Sequence, residues 1–246
     1  MIPAKQTQPC GDILVVGAGI GGIKAAMDLS EAGQRVVLID KAFSIGGLMA
    51  LLDRTFPTNN CDLCTLSPQL SETGRRERIE LRTGTQLAAV EGEAGRFTVR
   101  LAMLPRHIDL ERCTACGECH QRHPDWVRFT PGLDHRAPTC MRYPQATPYA
   151  FSVTPEGVGH IEELARLCPA GAFLMQDRER VDTRMFGAIV LAAGADLFAP
   201  AELDYLSRGR NPDVLTGLEY ERILSASGPT RGELLRPSDG RTPRRI

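Results

Sequence analysis

Three cysteines at regular intervals form the densest group of metal-binding side chains in the sequence. They are Cys113, Cys116 and Cys119, and two residues separate each from the next. Thiolates at this spacing can bind three corners of a cubane iron–sulfur cluster, and bacterial ferredoxin runs end in a fourth cysteine three residues later, followed by proline. Here that fourth position is His123, followed by proline. The run therefore needs its last ligand from elsewhere.

Cys168 is the candidate for the missing ligand. It begins the segment Cys-Pro-Ala-Gly-Ala, which is typical of the second half of a two-cluster ferredoxin. In such proteins the final cysteine of one run binds the cluster of the other run, so the ligand sets are exchanged. Counting back from Cys168 at the ferredoxin spacing places the other ligands of the second cluster at Val158, Ile161 and Leu164, which are all aliphatic.

The substitutions thus fall on one cluster and leave the ligand set of the other complete. We infer one [4Fe–4S] cluster bound by Cys113, Cys116, Cys119 and Cys168, with aliphatic packing where the second cluster would lie. Two alternatives stay open. Four thiolates can also bind Zn²⁺ in a closed tetrahedral site, and His123 can replace a cysteine as a cluster ligand.

A nucleotide-binding pattern precedes the cysteines. An apolar strand at 12–16 runs into a GxGxxG loop, a helical segment follows at 20–32, and a second apolar strand at 35–39 ends on an acid. The diagnostic residues are Gly17, Gly19, Gly22 and Asp40. This order of elements is typical of a βαβ dinucleotide-binding unit.

Each diagnostic residue has a physical role in such a unit. Gly17 permits the tight turn, Gly19 lets the backbone approach a pyrophosphate, and Gly22 lets helix and sheet pack closely. The positive helix N-terminus attracts the anion, and Asp40 is expected to accept hydrogen bonds from a ribose. The unit alone does not distinguish FAD from NAD, but its position at the start of the chain favours FAD. We expect Lys41 to contribute to the same site.

A later segment carries a family resemblance. The paired Gly46 and Gly47 are followed, at 55–68, by Thr-Phe-Pro-Thr-Asn-Asn-Cys-Asp-Leu-Cys-Thr-Leu-Ser-Pro. This stretch resembles the flavin subunit of heterodisulfide reductases, the HdrA-like family. The resemblance implies FAD, iron–sulfur residues inserted into a nucleotide-binding fold, and partner subunits that act on thiols or disulfides. The loss of one cluster indicates a reduced relative, such as those associated with sulfur oxidation.

Cys61 and Cys64 lie where many flavoprotein disulfide reductases place a redox dithiol. They could exchange electrons with the flavin as a thiol–disulfide pair, or serve a structural or cluster role, and the sequence leaves both interpretations open. Asn60, with the segment 55–58, is expected to contact the flavin edge.

Two features depart from the family pattern. Gln69 stands where the family commonly has lysine, and without that cation anionic reduced flavin is harder to stabilise. The Gly-Asp segment that normally completes the flavin site is not visible before Ile246.

The predicted fold class is α/β, with an FAD-binding Rossmann-like domain of the two-dinucleotide-binding flavoprotein type and an inserted ferredoxin-like α+β iron–sulfur domain. The predicted domains are 1–104, the first part of the FAD-binding domain, and 105–180, the insertion. The remaining residues, 181–246, are predicted to return to the FAD-binding domain and to start a second domain. Either that second domain is truncated, or another chain completes the flavin site. Strands at 79–85 and 96–100 are expected to form a small antiparallel sheet, and 156–167 a helix. An apolar strand ending at Gly194 should return the chain to the first sheet, beside the nucleotide.

Composition narrows the choice of partners. The 246 residues contain 29 Lys and Arg against 30 Asp and Glu, so no strong field favours nucleic acid or an acidic membrane surface. No apolar run approaches the roughly 20 residues needed to span a bilayer, and no signal-peptide pattern opens the chain. We expect a cytoplasmic, oligomeric protein.

The sequence therefore predicts an electron-transfer flavoprotein subunit of a heterodisulfide reductase-like complex, with FAD and one [4Fe–4S] cluster. Its expected partners are other subunits of that complex, and NAD(H) or ferredoxin is a candidate electron partner. Two rivals are a self-contained NAD(P)H-dependent flavin disulfide reductase that uses Cys61 and Cys64, and a zinc-stabilised scaffold subunit.

Overall fold

The computed structural model of the protein describes residues 11–52, 54–55, 60–128, 133, 145–195, 205–207, 210–226 and 228–245. In chain order the elements are β1 (Asp12–Val16), α1 (Ile20–Glu31), β2 (Arg35–Asp40), a 3-10 helix (Met49–Leu51), β3 (Arg54–Thr55), β4 (Asn60–Cys61), α2 (Asp62–Thr73), β5 (Ile79–Thr83), β6 (Thr85–Glu93), β7 (Arg96–Met103), α3 (Glu118–Arg122), a 3-10 helix (Pro155–His160), α4 (Ile161–Leu167), β8 (Arg180–Phe186), β9 (Ala188–Leu191) and α5 (Gly217–Leu224). Cys10, Cys140 and the segment 56–59 lie outside the described residues.

A parallel sheet forms the centre of the described fold. Its strand order is β5-β2-β1-β9, and every neighbouring pair runs in parallel. The predicted βαβ unit is confirmed, because β1 and β2 pair along their whole length and α1 connects them. The apolar strand expected to return late in the chain is β9, which pairs with β1 as predicted. This sheet order and the crossover through α1 are typical of a Rossmann-like fold.

Alternate residues of the central strands enter two different cores. Val15, Val36 and Leu38 belong to a cluster that also contains Ile23 and Ala26 of α1. The residues between them, Leu14, Val37 and Ile39, pack instead with Val99, Leu101 and Phe186. Because successive side chains of a strand point to opposite faces, the parallel sheet is covered by helices on one face and by a second sheet on the other.

That second sheet is antiparallel and has the order β6-β7-β8. Its register places Phe97 opposite Phe186 and Leu101 opposite Asp182. The expectation that 96–100 belongs to a small antiparallel sheet is confirmed. The same expectation for 79–83 is wrong, because β5 pairs in parallel with β2 at the edge of the central sheet. Alternating polar and apolar residues indicate a strand, but they do not show which strand it pairs with.

The cysteine-bearing segment is inserted between β7 and β8, two neighbouring strands of the antiparallel sheet. It contains α3 and α4, and an isolated bridge pairs Ile108 with Phe173 near its two ends. The predicted helix at 156–167 is a 3-10 helix followed by a true α-helix from Ile161. In the part of the chain that the structure describes, no helix is long and apolar enough to cross a membrane.

The start of α1 requires glycine for close approach, and this requirement is testable. A Cβ on Gly22 would lie 1.8 Å from the carbonyl oxygen of Gly17, whereas a Cβ on Gly21 would meet nothing within 4 Å. We expect Gly22→Ala to lower the free energy of unfolding by about 1–3 kcal/mol, because a backbone atom must move. Gly21→Ala is the matched control and should raise stability by about 0.5–1 kcal/mol. Urea unfolding of both variants measures the difference, and equal stabilities would contradict the packing.

Candidate functional site

The glycine loop lies at the carboxyl edge of the parallel sheet, where β1, β2 and β9 end. The N–H of Gly17 donates to the carbonyl of Ile39 at 2.8 Å, and the N–H of Ala192 donates to the carbonyl of Val16 at 2.8 Å. A Cβ on Gly17 would lie 2.2 Å from the oxygen of Ala192, so the segment that leads to Gly194 lies directly against this loop. In open α/β sheets this edge is where nucleotides bind.

A second glycine loop lies against the first. Gly46 forms an isolated parallel bridge with Gly19, and its N–H donates to the carbonyl of Ala18 at 2.7 Å. A Cβ on Gly47 would lie only 2.8 Å from the Cα of Gly19. The two loops therefore touch backbone to backbone, and a side chain larger than hydrogen at Gly47 would not fit without a shift of the backbone.

Asp40 binds the first loop and the start of the segment that leads to the second. Its Oδ2 accepts a hydrogen bond from the N–H of Ala18 at 2.7 Å, and its Oδ1 accepts one from the N–H of Ala42 at 2.8 Å. Each oxygen keeps a further lone pair, so the contact with a ribose stays a prediction. Lys41, next in the chain, is exposed at this edge.

Two observations test whether this edge suits a dinucleotide. Gly19 is the N-cap of helix α1 and provides no side-chain hydrogen bond, and the first turn of the helix contains no acidic residue. The first backbone N–H groups of the helix therefore remain available for an anion. The hydroxyl of Ser44, which is 3 % exposed, has no hydrogen-bond partner although it lies just before Gly46. A buried polar atom without a partner costs free energy unless water or a ligand satisfies it. The residues therefore fit a bound dinucleotide.

The predicted dithiol lies at the start of α2. Cys61 is the N-cap, and its sulfur accepts a hydrogen bond from the N–H of Cys64 at 3.2 Å. Both side chains are exposed, as is Asn60 directly before them. A hydrogen bond with Cys61 is the largest of the causes that raise the pKa of the Cys64 thiol. The pair is thus asymmetric: the sulfur of Cys61 is the hydrogen-bond acceptor, and Cys64 holds its proton more tightly.

The four predicted cluster ligands come together in the insertion. Cys113, Cys116 and Cys119 lie on a loop with left-handed residues at Ala115 (φ 51°) and Gly117 (φ 85°), and α3 begins within it. Cys168 immediately follows α4. Burial raises the pKa of Cys119 to about 11, and the negative charges of Cys113, Cys116 and Cys168 also raise it. Cys113, Cys119 and Cys168 also pack against the same hydrophobic core.

Two of these sulfurs each accept a hydrogen bond from a backbone N–H group. The N–H of Ala172 donates to the Sγ of Cys168 at 3.4 Å, and a hydrogen bond from the N–H of His120 lowers the pKa of Cys119 against the larger effect of burial. Hydrogen bonds of this kind orient ligating sulfurs and set the potential of a cluster. Cys119 and Cys168 therefore each have a backbone donor.

Zinc and a cubane cluster require different distances between the ligating sulfurs. Among the described residues, no group of three or more Cys, His, Asp or Glu side chains is close enough to hold a metal ion. Four thiolates on one Zn²⁺ at about 2.3 Å would have to lie within about 4 Å of one another. A cubane binds each cysteine to a different iron, so its ligands lie further apart. The cluster therefore stays the prediction from the sequence, with zinc as its alternative.

The positions of the second cluster contain packed side chains. Ile161 is 6 % exposed and Leu164 is 0 % exposed, in agreement with the predicted aliphatic packing, but Val158 is 41 % exposed and does not fill a core. His123 stacks on Trp126, with ring centroids 4.1 Å apart, and Trp126 stacks on His160 at 3.9 Å. This stack has no signal in the sequence, because its rings come from two distant segments.

Arg106 is a further buried residue that the sequence did not single out. It lies where the chain leaves β7 for the cysteine loop, is 7 % exposed, and stacks over the ring of Phe43 at 4.5 Å. An arginine among apolar residues gives no periodic signal, so only the packed structure shows that it is internal.

The fold and the glycine loops define a class, that of the FAD-dependent oxidoreductases. The family model described as FAD dependent oxidoreductase matches residues 12–104. Among solved structures, the L-proline dehydrogenase of P. horikoshii has a TM-score of 0.34 at 22 % identity and covers 37 % of this chain and 19 % of that chain. The thioredoxin reductase of T. acidophilum has a TM-score of 0.32 at 22 % identity, over 37 % of this chain and 31 % of that chain.

Curated relatives define the family more narrowly. The second HdrA-type iron–sulfur subunit of the CoB–CoM heterodisulfide reductase of Methanopyrus kandleri is 38 % identical over 95 % of this chain and 36 % of that protein. The HdrA-type subunit of the H2:CoB-CoM heterodisulfide,ferredoxin reductase of Methanothermobacter marburgensis is 37 % identical over 95 % of this chain and 36 % of that protein. Over 95 % of its length the chain is similar to HdrA-type subunits of heterodisulfide reductases, as its sequence predicted, and it spans about a third of the length of these relatives.

The asymmetry of the dithiol predicts different rates of alkylation. In Cys61→Ala, Cys64 loses the hydrogen bond that raises its pKa, so its thiolate fraction at pH 8 should increase. We expect iodoacetamide to modify Cys64 several-fold faster, roughly in proportion to thiolate. Peptide mass spectrometry over time measures the rate at this one residue.

Thr65→Ala is the matched control for this experiment. Its hydroxyl lies in the same turn but donates to the carbonyl of Cys61 at 3.1 Å rather than to the sulfur. It should leave the rate at Cys64 unchanged. An unchanged rate in Cys61→Ala as well would show that the two thiols do not interact.

Proposed function

We propose that this chain is the electron-transferring flavin part of a heterodisulfide reductase-like complex. In this proposal FAD binds the two glycine loops and one [4Fe–4S] cluster binds Cys113, Cys116, Cys119 and Cys168. The observation that carries the proposal is the placement of all four cysteines in one segment that is inserted between β7 and β8 of an FAD-type fold. When bound, FAD exchanges electrons singly or in pairs and the cluster exchanges them singly.

The chain's own residues would hold the two cofactors in different ways. The uncapped start of α1 would receive the pyrophosphate, and Asp40 would keep both glycine loops in place. Gly46, Gly47 and the segment ending at Gly194 would line the same edge, with Lys41 and Asn60 as further candidate contacts. We assign 1–104 and 181–246 to the FAD-binding part and 105–180 to the cluster-binding insertion.

The relatives are named as subunits of heterodisulfide reductases, which supports partner subunits that handle thiol or disulfide substrates. An oligomer is expected on the same ground, with NAD(H) or a ferredoxin as the outer electron partner. The second cluster of a two-cluster ferredoxin has no place in this proposal, because buried Ile161 and Leu164 stand at two of its ligand positions.

A second candidate function is dithiol chemistry at Cys61 and Cys64. The geometry at the start of α2 favours it, because Cys61 caps a helix and is exposed to a substrate. Oxidation of the two thiols to a disulfide releases two electrons and two protons, a number that a flavin can accept. This candidate describes a self-contained disulfide reductase as well as a step within a larger complex.

Cofactor counting tests the first proposal. In protein purified anaerobically with its native partners, we expect one FAD and four irons for this chain. Cys168→Ser should lose the irons and keep the flavin, because the glycine loops lie on the other part of the fold. His123→Ala should keep all four irons, since His123 stacks on Trp126. Eight irons, stoichiometric zinc or absence of flavin would overturn the proposal.

Cys61→Ser separates the two candidate functions. If the dithiol carries turnover, reduction of disulfide substrates should fall by more than about 100-fold, because serine cannot form the disulfide that cysteine forms. If the cluster and flavin carry it, reduction of the cluster by a flavin-directed donor should keep its wild-type rate. Stopped-flow absorbance and disulfide turnover on the same preparation give both answers, and Thr65→Ala serves as the control for changes to α2.

A further inference from the structure

Arg106 joins three segments that the sequence places far apart. Its Nη1 donates to the carbonyl of Phe151 at 3.3 Å, and its Nη2 donates to the hydroxyl of Thr83 at 2.9 Å and to the carbonyl of Phe43. Phe43 lies in the segment that leads from β2 to the second glycine loop, Thr83 ends β5, and Phe151 belongs to the insertion. One guanidinium thus connects the nucleotide edge with the cysteine-bearing segment.

The fork of the guanidinium suits this position. Its planar group bonds acceptors in several directions while it stacks on the ring of Phe43. A lysine has a single point of charge and could not reach all three acceptors in this geometry. The contact is therefore directional, and the backbone of Arg106 is held as well, because its N–H donates to the Oδ2 of Asp177 at 2.9 Å.

Arg106 also brings a positive charge close to the cysteines. Burial lowers the pKa of Arg106 to about 10, while the negative charges of Cys113 and Asp177 raise it. The guanidinium therefore remains protonated at neutral pH, and Cys113 lies within its electrostatic reach. Charges that are removed from water interact more strongly than charges on the surface, because solvent screens them less.

Unpartnered polar atoms flank this junction. Among the described residues, Ser44 Oγ, His107 Nδ1 and Ser152 Oγ are buried and have no hydrogen-bond partner. In the chain, Ser44 follows Phe43, His107 follows Arg106, and Ser152 follows Phe151. Such atoms are normally satisfied by ordered water or a ligand. The junction therefore has hydrogen-bonding capacity beyond what the protein uses.

We propose that Arg106 is a positioning residue for electron transfer between the nucleotide edge and the cysteine loop, which it holds at a fixed separation while its buried charge favours the reduced form of the cluster. The inference rests on the proposed function, since it requires both cofactors. Its chemistry is general: an added electron makes a thiolate-bound cluster more negative, and a nearby buried cation stabilises that charge.

The midpoint potential of the cluster tests the charge. In Arg106→Met, which keeps the apolar stem, the ratio of reduced to oxidised cluster at a fixed potential should fall at least tenfold, which is a shift of about 59 mV for one electron. Arg106→Lys should restore most of the potential. Arg112→Met is the matched control, because Arg112 is an exposed arginine directly before Cys113, and it should shift the potential far less.

The positioning role has its own variant. Thr83→Val removes one acceptor of Arg106 and keeps its charge, so the midpoint potential should stay within error of the wild type. The rate of electron transfer between flavin and cluster should fall several-fold, as measured by flash reduction. If Arg106→Met does not fold, Arg106→Gln removes the same charge and keeps a polar side chain, and the same two readouts then separate the loss of charge from the change of position seen in Thr83→Val.

The outcomes distinguish this inference from the proposed function. Wild-type protein without flavin or without iron would overturn both. Wild-type protein with both cofactors, together with a potential in Arg106→Met equal to that of the wild type, would overturn the inference alone. A shift as large in Arg112→Met as in Arg106→Met would also overturn it, because the effect would then not depend on burial.

Discussion

The carboxylate of Asp40 is the contact on which the nucleotide edge depends. It binds the N–H of Ala18 in the first glycine loop and the N–H of Ala42 at the start of the segment that leads to the second. Charge-assisted hydrogen bonds to backbone are stronger than neutral ones. Asp40 holds the first loop directly, and the N–H of Gly46 in turn donates to the carbonyl of Ala18 at 2.7 Å. The second loop is thus attached to the residue that Asp40 binds, and the start of α1 stays open to an anion. The rest of the site is built around this bond pair.

The insertion is attached to the same edge by a second buried charge. Arg106 reaches from the exit of β7 to the neighbourhood of the second glycine loop, and Asp177, close to the return into β8, binds the backbone of Arg106 and His107. Both ends of the insertion are therefore fixed within a few residues of the antiparallel sheet. Because the insertion is held at both ends, it does not need a large hydrophobic core of its own to hold the four cysteines. Cys113, Cys119 and Cys168 pack instead against the hydrophobic core that contains Val15 and Leu38.

Local chemistry explains what the sequence could predict. A strand, a glycine loop and a helix that follow one another are read from neighbouring residues, so β1, α1, β2 and the four cysteines were recognisable. The partner of β5 was not, because its choice of sheet depends on packing between distant segments. The exposure of Val158, the stack around Trp126 and the burial of Arg106 are likewise set by residues far apart in the chain. The sequence predicted which residues form the candidate site. The contacts that join the glycine loops to the insertion could be seen only in the fold.

The cap formed by Cys61 has a thermodynamic consequence for α2. A sulfur that accepts the N–H of Cys64 stabilises the first turn of the helix, and by reciprocity the helix stabilises the sulfur as an acceptor. A disulfide between the two cysteines would change that acceptor and its geometry. Folding of the first turn and the redox state of the pair are therefore linked functions, so the local stability of α2 reports the oxidation of its own first residues.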